Sequence, residues 1–185
     1  MAIEIPGYQA GAWNIDATHS DVSFSVRHLM VSKVRGNFRG FEGVIVTGET
    51  PEQSSVTATI DLKTIDTGQA QRDEHIRSAD FFEVEKHPTM TYRSTGVRAD
   101  GKDLVLDGEL TLKGITKSVP LTLEANGFGP DPYGGTRAGF SAKTEINRTD
   151  FDVSFNSALE SGGVILGEKV TILLEIEAVL VRPEA

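Results

Sequence analysis

The chain has 185 residues, which is enough for one domain with a complete core and too few to require two. Its 27 acidic and 18 basic residues give a formal net charge of −9, a balance that argues against nucleic-acid binding and against electrostatic docking on an anionic membrane. Cysteine is absent, which excludes thiol nucleophiles, disulfides and cysteine metal sites.

The N-terminal stretch MAIEIPGYQAGAW has no basic start and no long apolar run, and it contains an early proline, Pro6. It therefore does not have the features of a signal peptide, and we expect a cytoplasmic protein. Since no stretch of the chain approaches the ~18 apolar residues of a membrane span, we also expect no stable insertion into a membrane.

Alternation of apolar and polar residues predicts strands along most of the chain. A short strand is predicted at residues 12–16, and eight long strands follow at 20–29, 33–47, 54–64, 89–97, 103–112, 118–125, 139–146 and 170–181. The last strand alone covers roughly 40 Å at ~3.4 Å per residue. Turn-forming residues separate the strands, as in TGETPEQ, ADGKD, KGITK and NGFGPDPYGGT.

One segment departs from this pattern. Residues 69–80, QAQRDEHIRSAD, contain no run of β-branched residues, and they space Asp73 and Glu74 for ion pairs with Arg77. This predicts a short helix of about three turns. With Phe81 and Phe82, which follow directly, its apolar side is too small to build a core, but it has the size to cover one end of a barrel.

Many antiparallel strands with one apolar face need either a second sheet or closure on themselves. Small residues recur on the inward faces, and they mark bulges, barrel corners or places where a ligand comes close: Gly36, Gly40, Ala58, Gly108, Ala125, Ala142 and Ala178. We therefore predict an all-β fold, namely an elongated eight-stranded antiparallel barrel with a cavity for a long thin guest. A β-sandwich is the alternative.

Four segments together resemble the YceI-like family of bacterial lipid-binding proteins: WNIDATHSDVSFSVRHLMVSKVRGNFRGFEG, IDTGQAQRDEHIRSADFFEVEKHPTMTY, GELTLKGITKSVPL and INRTDFDV. The resemblance runs from Trp13 to about Ala178. It implies a lipocalin-like barrel whose apolar pore holds a polyisoprenoid or a similar amphiphile, with residues 1–11 as a lead-in and 12–182 as a single domain. Family members often carry a secretion signal, and they usually have glycine where this chain has Asp152.

The residues Gly11 to Trp13 also resemble the G-x-W start of lipocalins, in which the tryptophan packs on a late arginine. Arg182 is the candidate for that role here. The alternative is that Trp13 is an ordinary core residue.

On this basis the protein is expected to bind and sequester or carry a long-chain lipid, such as an isoprenoid lipid or a quinone, with no cofactor and no metal. We expect the lipid to pass beside Gly108 and Ala142, where no protein side chain fills the space. The candidate ligand-binding residues lie on the inward faces and at the helix: Val22, Phe24, Val26, His28, Phe38, Ile60, Phe81, Phe82, Leu104, Leu106, Gly108, Leu110, Leu121, Leu123, Phe140, Ala142, Ile172, Leu174 and Ile176.

The alternative function is an enzyme that acts on such a lipid with polar residues at the barrel mouth, namely His28, His75 and Arg72. No two of the four histidines have the i,i+4 spacing of a metalloprotease, and no triad signature is present. A three-histidine metal site built from separate strands is left open by the sequence, and Arg148 with Asp150 is expected to tie a turn by an ion pair.

Outward-facing apolar residues on the last strand suggest a contact with a second copy of the chain. Leu173, Val179 and Val181 lie on the face of this strand that does not point into the barrel. Because exposed apolar residues on a strand often mark an interface, a homodimer is expected.

Overall fold

The computed structural model describes residues 3–156 and 165–182. These residues form one α-helix, α1 (Ala70–Arg77), and twelve strands. The strands are β1 (Gly11–Ile15), β2 (Asp21–His28), β3 (Ser32–Phe38), β4 (Phe41–Thr47), β5 (Ser55–Asp61), β6 (Ile65–Asp66), β7 (Thr89–Asp100), β8 (Asp103–Leu112), β9 (Ile115–Ser118), β10 (Leu121–Pro130), β11 (Thr136–Asn147) and β12 (Leu166–Leu180). Short 3₁₀ helices lie at Ala17–His19, Pro51–Gln53, Leu62–Thr64 and Arg148–Phe151.

Eight of the strands pair in a closed ring. The hydrogen-bonded order is β1, β4, β5, β7, β8, β10, β11 and β12, and β12 pairs with β1 to complete the circuit. β12 also pairs with β2, and β2 pairs with β3, so β1 and β2 act as one bent strand and β3 and β4 as the next. The predicted closed eight-stranded antiparallel barrel is confirmed, whereas the single strand predicted at 33–47 bends at Gly40, where a Cβ would lie 2.9 Å from the Thr64 side chain.

Two predicted turns are partly strand. In KGITK, Lys113 and Gly114 make a two-residue turn with positive φ, and the following residues form β9 against β8. In NGFGPDPYGGT, β10 continues to Pro130 because its pairing with β11 resumes after a bulge between Ala125 and Gly127. The composition of these stretches indicates turns, but backbone pairing with a neighbouring strand decides where each strand ends.

The barrel has two ends, which we call upper and lower. The β4–β5 and β10–β11 turns lie at the upper end, where the N-terminal residues cross the opening and the Tyr8 hydroxyl donates to the Gly48 carbonyl (2.8 Å). The β2–β3 turn and α1 lie at the lower end. The largest group of buried residues runs along the barrel between these ends, and a smaller group around Trp13 lies at the upper end.

The helix at the lower end is shorter than predicted. α1 has eight residues rather than twelve, and its N-cap is Gln69, whose side chain accepts from the Arg72 amide. The predicted ion pairs with Arg77 are wrong, because Asp73 and Arg77 each bind other partners. The buried Asp73 carboxylate accepts from the Thr67 amide (2.9 Å), and Arg77 donates to the Lys63 carbonyl (2.9 Å).

Trp13 is a core residue rather than a partner of Arg182. It is fully buried, its indole N–H donates to the Thr47 hydroxyl (2.9 Å), and its ring meets Phe128 edge to face at 5.4 Å. Arg182 is exposed just beyond β12. In the described part of the chain, no helix is long and apolar enough to cross a membrane.

Asp152, which stands where the related family usually has glycine, adopts a left-handed conformation with φ 58°. Aspartate is one of the few residues that tolerate this region, so the turn keeps the shape that glycine would allow. The ammonium group of Lys113 donates to the Asp152 carbonyl (2.9 Å) and holds the turn against the β8–β9 hairpin.

Candidate functional site

The barrel interior contains two chambers that meet at a waist. The upper chamber has a volume of about 190 Å³ and the lower chamber about 340 Å³. Val22, Met90 and Ile172 line both of them. β2 and β12 are paired neighbours and β7 lies across the ring from β12, so the waist is built from two sides of the barrel and the two chambers adjoin there.

The upper chamber is almost entirely apolar, and aromatic side chains lie above it. Its wall consists mainly of aliphatic and aromatic side chains from β5, β8, β10, β11 and β12. Above it, Phe128 makes edge contacts with Trp13 at 5.4 Å and with Tyr8 at 5.6 Å. A polar or charged group here would lose its hydration without gaining partners, so this chamber suits a hydrocarbon.

The lower chamber combines an aromatic wall with polar groups at its mouth. Phe24, Phe38 and Phe82 follow one another around the wall with ring centroids 5.6 and 6.2 Å apart. The polar groups on its lining include His28, Arg72, His75, Arg148 and Asn156. An amphiphile with an apolar chain and a polar head therefore meets matching surroundings along the length of the interior.

Eighteen of the nineteen candidate residues line one of the chambers. The waist holds Val22 and Ile172. The upper chamber has Ile60, Leu104, Leu106, Leu110, Leu121, Leu123, Phe140, Ala142, Leu174 and Ile176, and the lower chamber has Phe24, Val26, His28, Phe38, Phe81 and Phe82.

The expectation for Gly108 is wrong. Gly108 is buried and faces inward, but a Cβ built there collides with the ring and hydroxyl of Tyr92. The Tyr92 hydroxyl donates to the Val119 carbonyl (2.7 Å), and burial raises the pKa of this phenol. Protein therefore fills the space that was expected to be open for a guest. Gly36 is similar, since its Cβ would lie 2.7 Å from the Phe24 ring.

The alanines behave differently from these two glycines. Ala58, Ala125 and Ala142 all line the upper chamber. Ala178 is fully buried in the small core group that contains Trp13. Small inward residues thus have two roles in this barrel: some border the cavity, and others make room for a neighbouring protein side chain.

The residues named for the enzyme alternative lie around a single chamber. His75 Nε2 lies 2.7 Å from Asp80 Oδ2, and the imidazole ring packs edge to face on Phe81 and Phe155 with centroids 5.1 and 4.9 Å away. Arg72 donates from Nε to the Thr67 hydroxyl (2.8 Å) and from Nη2 to the Thr67 carbonyl (2.7 Å). With His28 they make a polar, partly exposed mouth that suits a head group.

Arg148 is a structural residue beneath this mouth. Its guanidinium is buried and donates to the carbonyls of Val153 (2.7 Å), Gly167 (2.8 Å) and Phe155 (2.9 Å), rather than forming the ion pair expected with Asp150. Burial lowers the pKa of Arg148. Arg148 thus joins the segment after β11 to the start of β12, and this junction brings Phe155 to the lower chamber.

The lining residues that sequence reasoning missed include the waist residue Met90 and the wall residues Phe128 and Phe155. Met90 shares its strand face with Tyr92, and this alternation in TMTYRSTGV was the available signal. Phe128 lies in NGFGPDPYGGT, a stretch that was interpreted as a turn. Phe155 lies outside any strand, so no periodicity marked it.

One group of side chains has the spacing of metal ligands among residues 3–156 and 165–182. It consists of Asp16, His19 and Glu177 at the upper end. The Arg137 guanidinium already pairs with it, donating to Asp16 (2.9 Å) and Glu177 (2.7 Å). Hydrogen bonds from His19 and Arg137 lower the pKa of Asp16 to about 2. This arrangement ties the bend between β1 and β2 to β11 and β12.

Comparison with known proteins agrees with the geometry. The family described as YceI-like domain matches residues 13–178 of the chain. Protein YceI of Escherichia coli O17:K52:H18 is 38% identical over 165 residues, covering 89% of this chain and 83% of that protein. The crystal structure of a Campylobacter jejuni YCEI protein has a TM-score of 0.71 at 27% identity, covering 96% of this chain and 100% of that one.

A more distant structural neighbour comes from Saccharophagus degradans and is described as a polyisoprenoid binding domain implicated in plant cell wall breakdown. Its TM-score is 0.70 at 17% identity, and the match covers 94% of this chain and 100% of that domain. At this identity the similarity concerns the fold.

Proposed function

Since the chain belongs to the YceI-like family, we propose that it binds a long-chain isoprenoid or a similar amphiphilic lipid and sequesters or carries it. The observation that carries this proposal is the apolar interior, in which two adjoining chambers share Val22, Met90 and Ile172. The distant neighbour described as polyisoprenoid-binding has the same barrel, which supports a guest of this class. The apolar tail occupies the upper chamber, and the head group lies at the lower mouth near Arg72 and His75.

The reference state of the lipid limits what the interior contributes to affinity. Each carbon removed from water contributes about 0.8 kcal/mol, so a chain of many isoprene units would naively exceed the ~20 kcal/mol ceiling of non-covalent binding. Such a lipid resides in a membrane, however, and its transfer from a bilayer to the barrel changes the hydrophobic free energy little. Selectivity therefore depends on the shape of the chambers and on contacts to the head group.

The proposal is tested on protein purified without detergent. Native mass spectrometry should show the protein with an additional bound mass. Organic extraction of the same protein should identify this bound molecule as a long-chain lipid. Added to delipidated protein at ~100 times its Kd, an isoprenoid should raise the free energy of unfolding by about 2.7 kcal/mol. Failure to extract a lipid, together with an unchanged melting temperature, would refute the proposal, and a chemically altered guest after incubation would favour the enzyme alternative.

A homodimer is the second part of the proposal. Val44 and Val46 on β4, Val179 near the end of β12 and Val181 just beyond it form an apolar strip on the outside of the barrel. β1 lies between them, with Asn14 opposite both Val44 and Val179. Leu173, which is half exposed, lies further down β12 and outside this strip. The strip offers a second copy of the chain a surface to cover.

A further inference from the structure

The β2–β3 turn projects three consecutive apolar side chains at the lower end. Leu29, Met30 and Val31 are 40%, 57% and 84% exposed. The turn is held in place, because the Leu29 amide donates to the Ile165 carbonyl (2.7 Å) and the Val31 amide donates to the His28 carbonyl (3.2 Å). These side chains are therefore presented to solvent by a fixed backbone.

The conformation of this turn disfavours the residues that occupy it. Leu29 and Met30 have φ values of 53° and 60°, the left-handed region that glycine and asparagine adopt far more readily than leucine or methionine. An apolar pair at these positions is unfavourable for the backbone and for hydration. Since neither folding nor solubility favours Leu-Met at this tip, contact with an apolar medium is a use that accounts for the pair.

The charges behind the tip have the opposite sign to the whole protein. Residues 22–38 contain Arg27, Lys33 and Arg35 and no acidic residue, in a chain of net charge −9. Arg27 and Lys33 are register partners two residues from the turn, about 7 Å behind it at ~3.4 Å per residue. Because salt screens charges over ~10 Å, this local set governs docking at the tip more than the distant acids do. On the adjacent strand β12, Glu168 is acidic and Lys169 pairs with Glu145 (3.6 Å).

This arrangement matches a lipid bilayer more closely than a protein partner. A stable protein interface buries about 800 Å² on each side, more than the narrow tip of one hairpin offers. Interfacial anchors bury apolar groups about 5–10 Å deep, a depth that brings Arg27 and Lys33 to the level of the phosphates. His28, directly before the turn, lines the lower chamber, so a docked tip would bring the mouth of that chamber to the membrane.

We propose that residues 29–31 insert into the surface of an anionic bilayer and that Arg27 and Lys33 bind its head groups, so that lipid passes between membrane and barrel through the lower mouth. Docking itself requires no guest, whereas the passage of lipid rests on the proposed function. Vesicle binding and guest binding are therefore measured separately.

The test uses the full chain and sedimentation with vesicles of phosphatidylcholine, with or without phosphatidylglycerol. Wild-type protein should bind the anionic vesicles and lose this binding at high salt. The double substitution Leu29→Asn with Met30→Gly suits the turn better than the natural pair, so the variant should fold and yet bind anionic vesicles at least ~10 times more weakly. Tyr133→Ser, which removes an 86% exposed ring at the upper end, is the matched control and should bind like wild type.

Two further measurements separate the parts of the proposal. Arg27→Gln with Lys33→Gln should abolish the preference for phosphatidylglycerol. The turn variant should still bind an isoprenoid delivered in detergent micelles, but it should take up the same lipid from vesicles more slowly than wild type. Wild-type protein that ignores anionic vesicles, or a turn variant that binds them equally well, would overturn the docking proposal while leaving guest binding intact. A turn variant that instead changes the oligomeric mass would assign the tip to a protein contact and also overturn it.

Discussion

Filling the upper chamber distinguishes a cavity from a packed core. Ala142 lies on β11 between Leu123 and Leu174, and its side chain points into the upper chamber. Ala142→Phe inserts a ring into about 190 Å³ of free volume without adding a polar atom that would need a partner. If the chamber holds the tail of the guest, this ring occupies the same place.

The magnitude follows from the burial of the ring. A fully buried Phe side chain contributes about 1.5–3 kcal/mol, and ordering it costs about 1 kcal/mol, so lipid-free protein should gain roughly 0.5–2 kcal/mol. For a chain of this length, 1 kcal/mol corresponds to about 2–4 °C in melting temperature. We therefore expect the lipid-free variant to melt about 1–8 °C above wild type. In a packed core the same substitution would cost about 1–3 kcal/mol.

The assay compares melting temperatures of delipidated proteins with and without an added isoprenoid. Ala142→Phe should be more stable alone and should lose most of the increase caused by the isoprenoid. Lys143→Phe is the matched control, since it places the same ring on the exposed face of the same strand and should leave lipid binding unchanged. A lower melting temperature in Ala142→Phe combined with full lipid binding would show that the reasoning about the chamber is wrong.

Three other predictions concern the glycines, the upper-end ion pairs and the outer apolar strip. Gly108→Ala should lower the free energy of unfolding by about 1–3 kcal/mol, because the new Cβ meets Tyr92. Gly96→Ala, whose Cβ has open space around it, is the control and should melt like wild type. Equal melting temperatures for the two variants would contradict the role of Tyr92. Asp16→Asn should lower the free energy of unfolding by about 1 kcal/mol at pH 7, since the folded-state pKa of Asp16, about 2, lies below the ordinary 3.8 and partial exposure to solvent weakens the effect. The difference from wild type should vanish as the pH falls from about 4 towards 2, and a pH-independent difference would contradict this prediction. Val181→Glu should convert a dimer to a monomer in light scattering at micromolar concentration, and a monomeric wild-type protein would refute the dimer.

The alternation of residues was sufficient to predict the faces of the strands, whereas the choice of a closed barrel over a sandwich came from the small inward residues and the family resemblance. Val22, Phe24 and Val26 point inward because successive side chains of a strand alternate, and this holds whatever the neighbouring strands are. The same reasoning placed all but one of the nineteen candidate residues on the chamber lining. Local periodicity therefore determines which residues face the interior, but it does not determine how far the interior is filled.

Gly108 illustrates what alternation does not reveal. Its register partner is Ser94, and the bulge between Ser94 and Gly96 shifts the pairing that follows. The side chain that covers Gly108 is Tyr92, two residues along β7 and diagonal to it. Predicting this contact requires the register of two strands and the direction of the Tyr92 ring, and both depend on tertiary pairing.

The helix and the lower mouth were difficult to predict for a similar reason. Asp73 and Arg77 have the spacing of a helical ion pair, but Asp73 is drawn to Thr67 and Arg77 to Lys63. Phe155 reaches the lower chamber through a junction that Arg148 holds together. In each case a backbone group distant from the local pattern supplies the better partner.

The barrel is closed by pairing between its first and last strands, since Trp13 on β1 lies opposite Leu180 on β12. During synthesis the barrel cannot be completed until β12 has left the ribosome, because β12 pairs with β1, β2 and β11. Pairing at such sequence separation is slow, typically ms to s, and the inner faces stay uncovered in the meantime. A chain that stops before β12 is therefore an open sheet with two free edges, prone to pair with other chains, rather than a smaller barrel.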